Sequence, residues 1–234
     1  DGSGSVYVGD AGNQVIRKVL ADGTTTTIAG TVGASGHQDG PAASAKFGEQ
    51  VRALVLDGTG NLFIVDVSNS VLRKLVVATG EVSTLAGSPG VSGTTDGVGG
   101  AARFSWTCGM ALGPDGMLYA ADWSSHRIRK VNPATGEVST LAGGSSGYQD
   151  GAAADARFTG PCALAVGADG AVYVSDWANG TIRKIAGGQV TTLAGTFFAT
   201  GSTDGTLAEA RFNEVDALLV DGTGGILVAD AYNY

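Results

Sequence analysis

The chain has few of the residues from which catalytic and metal sites are usually built. Its 234 residues include 2 histidines, 2 cysteines and 5 prolines. Zinc held by three histidines is excluded within this chain, because only His37 and His126 are present and they lie in loops of different sequence copies. The sequence contains no G-x-S-x-G element, no phosphate-binding loop and no cysteine–histidine pair in a supporting context. These absences favour a protein that is not an enzyme.

The chain also lacks a long apolar run and an excess of positive charge. No stretch of 18 or more apolar residues occurs, so the sequence predicts no membrane span. The formal net charge is −8, and acidic residues outnumber basic ones in the long loops. Nucleic-acid binding draws on basic surfaces that neutralise phosphates. We therefore predict protein partners and no nucleic-acid partner.

Repetition is the dominant property of the sequence. A short apolar run that ends in aspartate recurs at spacings of 56, 56, 54 and 54 residues. The repeat aspartates are Asp10, Asp66, Asp122, Asp176 and Asp230. Such regular spacing indicates one supersecondary unit used again and again. We place the repeats at about 1–51, 52–108, 109–162, 163–216 and, in part, 217–234, within one domain.

Each repeat contains four strand signals. In the second copy they cover residues 52–57, 61–66, 70–77 and 81–87. These runs are short, rich in β-branched and aromatic residues, and bounded by Gly, Asp and Asn. No window keeps a helical period. The pattern predicts an all-β chain of 17 strands arranged as the four-stranded antiparallel blades of a β-propeller.

Three types of side chain recur at the same position in every repeat, and we expect each type to make the same contact in every copy. An arginine follows the repeat aspartate by seven residues, and we expect it to pair with that aspartate; these are Arg17, Arg73, Arg129 and Arg183. A phenylalanine closes each long loop and is expected in the seam between blades; these are Phe47, Phe104, Phe158 and Phe212. An Asp-Gly pair in each loop is expected to cap a single helical turn; its aspartates are Asp39, Asp96, Asp150 and Asp204.

One face of the predicted propeller carries the residues that do not repeat. Strand direction places the long loops and the turns between strands two and three on the same face, and all 3 tryptophans fall there. Exposed aromatic residues are typical binding anchors, although these could instead cover the ends of neighbouring blades. The predicted interaction face comprises Trp106, Trp123, Trp177, Glu49, Arg52, His126, Glu214 and Asp216.

Residues 115–122, D-G-M-L-Y-A-A-D, followed by H-R-I-R-K at 126–130, resemble the NHL-repeat family of β-propellers. The T-L-A-G, D-G and A-R-F segments of the loops are similar to the long-repeat members of that family. The resemblance implies a closed propeller, usually of six blades, so about four blades' worth would be present here as part of a longer protein. A four-bladed closure is the alternative. The family includes interaction platforms, RNA-binding proteins, adhesion proteins and some enzymes, so fold does not settle function.

Two further features concern the cellular location. Cys108 and Cys162 occupy the same position in adjacent copies, and we expect either a disulfide or two buried thiols. A disulfide would imply an oxidising compartment. Asn179-Gly180-Thr181 is a sequon for N-glycosylation at Asn179. Together with the acidic charge, these features favour an extracellular or cell-surface location, with the cytoplasm as the alternative.

The sequence thus predicts a non-catalytic scaffold that binds protein partners through its loop face. A metal-dependent hydrolase or lyase with calcium or zinc in the central channel is the alternative, and an intracellular scaffold is the second alternative. Calcium ligands would be oxygen atoms; the candidates are Glu49, Gln50, Asn213, Glu214 and Asp216. We predict no cofactor, and calcium is the one ion left open.

Overall fold

The computed structural model describes residues 1–233 and shows an all-β chain. Contacts divide it into two compact units, Asp1–Phe104 and Ser105–Tyr234, and each unit is described by itself. Tyr234, the last residue of the predicted repeat 217–234, lies outside the described residues. The repeat limits and the single-domain organisation stay predictions.

The unit Asp1–Phe104 contains two antiparallel sheets. The first has the order β1-β2-β3, and the second has the order β4-β8-β7-β6-β5. The strands are β1 Val6–Asp10, β2 Val15–Val19, β3 Thr25–Ala29, β4 Gly40–Pro41, β5 Val51–Leu56, β6 Asn61–Asp66, β7 Val71–Val76, β8 Glu81–Gly87 and β9 Gly97–Val98. Single 3₁₀ turns cover Ala11–Asn13 and Gly99–Ala101.

The unit Ser105–Tyr234 contains three antiparallel sheets. Within it, strands follow the orders β10-β11-β12-β13, β14-β18-β17-β16-β15 and β19-β20. The strands are β10 Thr107–Leu112, β11 Leu118–Asp122, β12 Arg127–Val131, β13 Glu137–Gly143, β14 Gly151–Ala152, β15 Pro161–Val166, β16 Val172–Asp176, β17 Thr181–Ala186, β18 Gln189–Ala194, β19 Val215–Val220 and β20 Ile226–Asp230. Single 3₁₀ turns cover Trp123–Ser125 and Trp177–Asn179.

The main strands follow the predicted four-strand pattern. Apart from three two-residue strands, residues 1–233 contain 17 strands in groups of three, four, four, four and two. Local turn chemistry explains the tight connection between strands one and two. In the second copy, Asp57 Oδ1 accepts the N–H groups of Thr59 and Asn61, and Gly60 takes the left-handed conformation, with φ +86°. The sequence analysis did not predict the two-residue strands β4, β9 and β14.

The core within each unit lies in the seams between neighbouring sheets. In the first unit, Phe47 is fully buried in a cluster that takes Ile16 from the first sheet and Leu62 from the second. In the second unit, Phe158 is buried in a cluster that contains Ile128 of β12 and Val174 of β16. Phe212 packs with Ile182 and Val228, and Phe104 is buried. Phe47 and Phe158 therefore fill the space between neighbouring sheets of their own unit.

Candidate functional site

The second unit carries an aromatic surface at the ends of its second strands. Trp123 and Trp177 directly follow the repeat aspartates that end β11 and β16. Each begins a 3₁₀ turn, and the two rings meet edge to face with centroids 6.4 Å apart. Trp106, Trp123, Trp177 and Asp216 are called the tryptophan surface below.

Backbone and side-chain hydrogen bonds bring this surface together. The N–H of Trp123 donates to the carbonyl oxygen of Trp106 at 2.8 Å, so the long loop and the turn between strands two and three meet at one end of the sheet. Trp177 Nε1 donates to Asp216 Oδ1 at 3.3 Å. Trp106 and Trp123 are 37% and 36% exposed, and Asp216 is exposed. The side chains of Trp106 and Trp123 are therefore accessible to a partner, and Asp216 holds the ring of Trp177.

Gly160 and His126 position Trp123. A Cβ atom on Gly160 would lie 2.5 Å from Trp123 Nε1, so the indole packs directly on the glycine backbone. His126 has a left-handed backbone (φ 57°), and its Nδ1 accepts the Gly160 N–H at 3.2 Å. Burial lowers the pKa of His126, and the charge of Asp122 opposes that effect. The neutral imidazole is the form that accepts this hydrogen bond.

The remaining residues of the predicted interaction face are distributed over both units. Glu214 is half-buried with φ 59°, and its carbonyl oxygen accepts the Ala231 N–H at 3.3 Å. Glu49 and Arg52 are exposed, but both belong to the unit Asp1–Phe104. Within residues 1–233, no group of three or more His, Cys, Asp or Glu side chains is arranged to hold a metal ion. The tryptophan surface is therefore the part of the predicted face with a defined geometry.

The repeat aspartates and arginines form buried ion pairs. The shortest Asp–Arg distances are 3.2 Å for Asp66 and Arg73, 3.3 Å for Asp122 and Arg129, and 2.7 Å for Asp176 and Arg183. All six side chains are fully buried. Burial raises the pKa of Asp66, Asp122 and Asp176, against the lowering effect of each arginine. In the first copy, Arg17 and Asp10 pair at 3.2 Å but are partly exposed.

The expectation that the Asp-Gly pairs cap helical turns is wrong for Asp39, Asp96 and Asp150, and it stays a prediction for Asp204. Asp39 accepts hydrogen bonds from Arg73 Nη2 at 2.7 Å and from the Thr84 N–H at 2.9 Å. Asp150 binds Arg183 and Thr192 in the same way. The residues that follow Asp39, Asp96 and Asp150 are extended, as β4, β9 and β14. The reason is that a buried guanidinium group needs acceptors for its five N–H groups, and these aspartates supply some of them.

The surroundings of Asn179 argue against the N-glycosylation that its sequon predicts. Asn179 is fully buried, and its Nδ2 donates to Asp176 Oδ2 at 2.8 Å and to the Gly147 carbonyl oxygen at 3.0 Å. A glycan would have to be attached to this same nitrogen atom. Asn13, Asn69 and Asn233 bind their repeat aspartates in the same way. Asn179 is thus a structural residue of the repeat.

Cys108 and Cys162 lie on the neighbouring strands β10 and β15 and are joined by a disulfide, with Cα atoms 4.9 Å apart. A Cβ atom on the adjacent Gly109 would collide with the carbonyl oxygen of Cys162. Glycine at this position therefore allows the close approach of the two strands.

One aromatic cluster was missed by the sequence analysis. The ring of Tyr148 stacks on Phe197 with centroids 4.6 Å apart, and Phe198 meets Phe197 edge to face. Tyr148 also covers the guanidinium group of Arg183. Phe198 is 73% exposed. The sequence signal was the Phe-Phe pair in the fourth long loop, at a position where the other copies have small or aliphatic residues.

Comparison with known proteins gives relatives that are longer than this chain. The protein SUPPRESSOR OF QUENCHING 1, chloroplastic, of Arabidopsis thaliana is 30% identical over 189 residues, which are 77% of this chain and 18% of that protein. Human NHL repeat-containing protein 2 is 27% identical over 98% of this chain and 36% of its own length. Human Teneurin-4 is 36% identical over 32% of this chain and 3% of its own. No protein-family model matches.

Solved structures share the fold at low sequence identity. A protein of unknown function from Bacteroides thetaiotaomicron has a TM-score of 0.66 at 24% identity, covering 99% of this chain and 65% of its own. Virginiamycin B lyase from Staphylococcus aureus has a TM-score of 0.65 at 12% identity, covering 98% and 61%. A chain of a nidogen/laminin complex has a TM-score of 0.63 at 14% identity, covering 97% and 70%. At these identities the likeness concerns the fold alone.

The repeated antiparallel sheets and these neighbours define the class of the protein as a β-propeller. The relatives named for NHL repeats, together with the D-G-x-L-Y-x-x-D and R-I-R-K segments, place it more narrowly. The chain belongs to the NHL-repeat family. Among the neighbours are a lyase and a chain of a protein–protein complex, so the fold is compatible with either role. Among residues 1–233, no helix is both long and apolar enough to cross a membrane.

Proposed function

We propose that this chain is a non-catalytic propeller scaffold that binds a protein partner through the tryptophan surface. The observation that carries the proposal is the geometry of that surface. The indole rings of Trp123 and Trp177 meet edge to face, a backbone hydrogen bond joins Trp123 to Trp106, and Asp216 accepts the N–H of the Trp177 ring. Rigid, partly exposed tryptophans beside a charged group are characteristic of binding hot spots.

The neighbouring nidogen/laminin complex supports a binding role, since a propeller of this type occurs there in a complex of two proteins. The metal-dependent hydrolase or lyase has weaker support. Among residues 1–233, no group of three or more His, Cys, Asp or Glu side chains is arranged to hold a metal ion. The scaffold is therefore the function that the described residues support best.

We further propose an extracellular or cell-surface location, with the Cys108–Cys162 disulfide as its support. Disulfides persist in oxidising compartments and are rare in the cytosol. The plant relative carries the word chloroplastic in its name, so an extracellular location does not follow from the family alone. Detection of free thiols at both positions in protein isolated under alkylating conditions would favour the intracellular scaffold instead.

The binding proposal is tested by cross-linking the chain to the surface and secreted proteins of its source cells and then measuring the affinity for the captured partner. We expect Trp177→Ala and Asp216→Ala each to weaken binding, Trp177→Ala by about 30-fold, as for a hot-spot residue. Phe198→Ala is the matched control, because Phe198 is an exposed aromatic residue outside the tryptophan surface. Equal affinities of the wild-type chain and Trp177→Ala would contradict the proposal.

A further inference from the structure

A cavity of about 300 Å³ lies at the third long loop of the chain, residues 143–158. It is called the loop cavity below, and it is lined by Gly144, Ser145, Gln149, Ala154, Asp155, Ala156 and Arg157. All of these residues belong to the unit Ser105–Tyr234. The volume is at the lower end of the range in which proteins bind small molecules. The chemistry of the walls therefore indicates which ligand would fit.

The loop cavity lies where the third copy differs from the other copies. The first segment of its long loop covers only residues 143–147, between two glycines. The same segment is two residues longer in the other copies, at 30–36, 87–93 and 195–201. In addition, Gly144 stands where the first and fourth copies have Thr31 and Thr196. A shorter segment and a missing side chain thus leave this space open.

The carbonyl oxygen of Ala154 lacks a hydrogen bond that the equivalent oxygens make. In the other copies this carbonyl group accepts a side-chain donor; the pairs are Thr31 Oγ1 with Ala43 at 3.1 Å, Arg103 Nη1 with Gly100, and Thr196 Oγ1 with Ala208 at 2.9 Å. Because Gly144 has no hydroxyl group, Ala154 receives no such bond from residues 1–233. The wall of the loop cavity therefore offers an acceptor to a hydroxyl group of a ligand.

Arg127 differs from its equivalents in the other copies, which are the buried residues Val15, Val71 and Thr181. Arg127 is half-buried, and a Cβ atom on Gly144 would lie 3.4 Å from its Nε atom. The guanidinium group therefore lies against the glycine that lines the loop cavity. The Arg127 side chain makes no hydrogen bond or ion pair in the described part of the chain. Its charge is thus free to bind a ligand.

Arg157 supplies a second guanidinium group to the loop cavity. Its stem packs on Gly147, where a Cβ atom would lie 3.2 Å from Arg157 Cδ. The equivalent Arg211 donates from Nη1 to the carbonyl oxygens of residues 208–210, but the Arg157 side chain has no hydrogen bond or ion pair within residues 1–233. Arginine binds carboxylate and phosphate groups through paired N–H donors. Two such groups without partners at one cavity therefore indicate an anionic ligand.

We propose that the loop cavity binds a small organic anion that also carries a hydroxyl group. Its carboxylate or phosphate group binds Arg127 and Arg157. Its hydroxyl group donates to the Ala154 carbonyl oxygen, as the threonine hydroxyl groups do in the first and fourth copies. The site uses none of the residues of the tryptophan surface and does not depend on the function proposed for that surface.

The test is an NMR titration of the isotope-labelled chain at constant ionic strength with D-glycerate and with glycerol 3-phosphate. We expect saturable shifts of the amide signals of Gly144, Ser145 and Gln149, and the tighter probe identifies the anionic group. Propionate has the carboxylate without the hydroxyl groups, and it should bind about 5-fold more weakly than D-glycerate. Glycerol has the hydroxyl groups without the charge and should cause no shifts. Equal affinities for D-glycerate and propionate, or no saturable shifts with either anion, would overturn the proposal.

Substitutions in the walls test the role of each charge. Arg127→Val introduces the residue that the first two copies carry, so the fold should be kept. It should weaken the binding of the tighter probe by about 10-fold, and Arg157→Gln should do the same, because each removes a charge-assisted hydrogen bond. Asp155→Asn should strengthen binding, since it removes a negative charge from the wall. Weaker binding in Asp155→Asn, with unchanged affinity in both arginine variants, would contradict the proposed site.

Arg211→Gln is the matched control, because it removes an arginine from the same repeat position as Arg157, outside the loop cavity. It should change the affinity by less than about twofold, since a charge at a distance is screened by salt. Equal losses in Arg157→Gln and Arg211→Gln would overturn the proposal in favour of unspecific charge attraction. In each variant, unchanged amide signals outside residues 143–158 verify the fold.

Discussion

Arg183 Nη1 lies 2.7 Å from Asp176 Oδ2, and both side chains are fully buried. The same guanidinium group donates to the carbonyl oxygens of Arg157 and Gln149 and to Asp150. One side chain therefore joins strands β16 and β17 to the loop that precedes their sheet. Phe158, whose ring lies 5.0 Å from the guanidinium carbon, places this network next to the core.

We predict that Arg183→Met lowers the free energy of unfolding by about 3–5 kcal/mol, the usual cost of removing one partner of a buried ion pair. Asp176 would keep its bonds to Asn179 and to the Thr159 N–H but would lose its countercharge. Denaturation by urea, followed by circular dichroism, measures the change.

Arg17→Met is the matched control, because the Arg17–Asp10 pair is partly exposed. Its expected cost is much smaller than that of Arg183→Met, as for exposed pairs. Similar losses in the two variants would show that burial of the pair does not determine its contribution.

The second prediction concerns the contribution of the disulfide to the stability of the chain. Cys108 and Cys162 are separated by 54 residues in sequence. The chain-entropy relation gives a stabilisation of about 4 kcal/mol for a loop of this length. The variant Cys108→Ala/Cys162→Ala should therefore be less stable than the oxidised chain by that order. Unfolding curves recorded with and without reductant measure the effect.

In the same experiment, reductant should destabilise the wild-type chain and leave the double variant unchanged. A wild-type curve that does not respond to reductant, together with two alkylated thiols in mass spectrometry, would show that the cysteines are buried thiols in solution.

The strands of this fold could be predicted because their signals are local. Each is a short apolar run bounded by turn residues, and the repetition of the runs ending in Asp66, Asp122 and Asp176 removed the ambiguity of any single one. The ion pairs could also be expected, since aspartate and arginine recur at a fixed separation. The class of fold followed from these two regularities.

The contacts that were missed or wrongly predicted depend on pairing between distant segments. Asp39 and Thr84 are 45 residues apart, and nothing near Asp39 in sequence indicates that it binds a fourth strand instead of capping a turn. Asn179 lies in a sequon, but its burial depends on Asp176 and on the loop at Gly147. For the candidate site, the positions of the tryptophans along the chain could be predicted, but the edge-to-face contact of Trp123 and Trp177 could not, because it depends on the packing of neighbouring sheets.

The third prediction concerns pH and His126. Burial lowers the pKa of His126 below its ordinary value of 6.5, so the folded chain favours the neutral imidazole. The stability that the neutral form contributes is fully present above pH 6.5 and is lost as the pH falls from that value through the lower pKa of His126 in the folded chain. Protonation would also remove the acceptor for the Gly160 N–H. Acidification should therefore destabilise the wild-type chain more than His126→Asn.

Asparagine is the suitable replacement because it tolerates the left-handed backbone of His126. His37, whose pKa is also lowered by burial, is present in both proteins, so the difference between their stability curves isolates His126. NMR titration of the imidazole signals provides the direct check. Parallel curves between pH 7.5 and 5.5 would rule out a role for His126 in the pH response.

The fourth prediction separates the structural role of Asn179 from its sequon. When the chain is expressed in the secretory route, intact-mass analysis should show no glycan on Asn179 in the folded protein, because Nδ2 is buried and bonded to Asp176. Asn179→Ala should lower the free energy of unfolding by about 1–3 kcal/mol, since the buried carboxylate loses a donor.

Thr181→Val is the matched control. It destroys the sequon, yet Thr181 Oγ1 makes no hydrogen bond among residues 1–233, so stability should change little. A glycosylated and fully folded wild-type chain would show instead that the Asn179–Asp176 contact is dispensable.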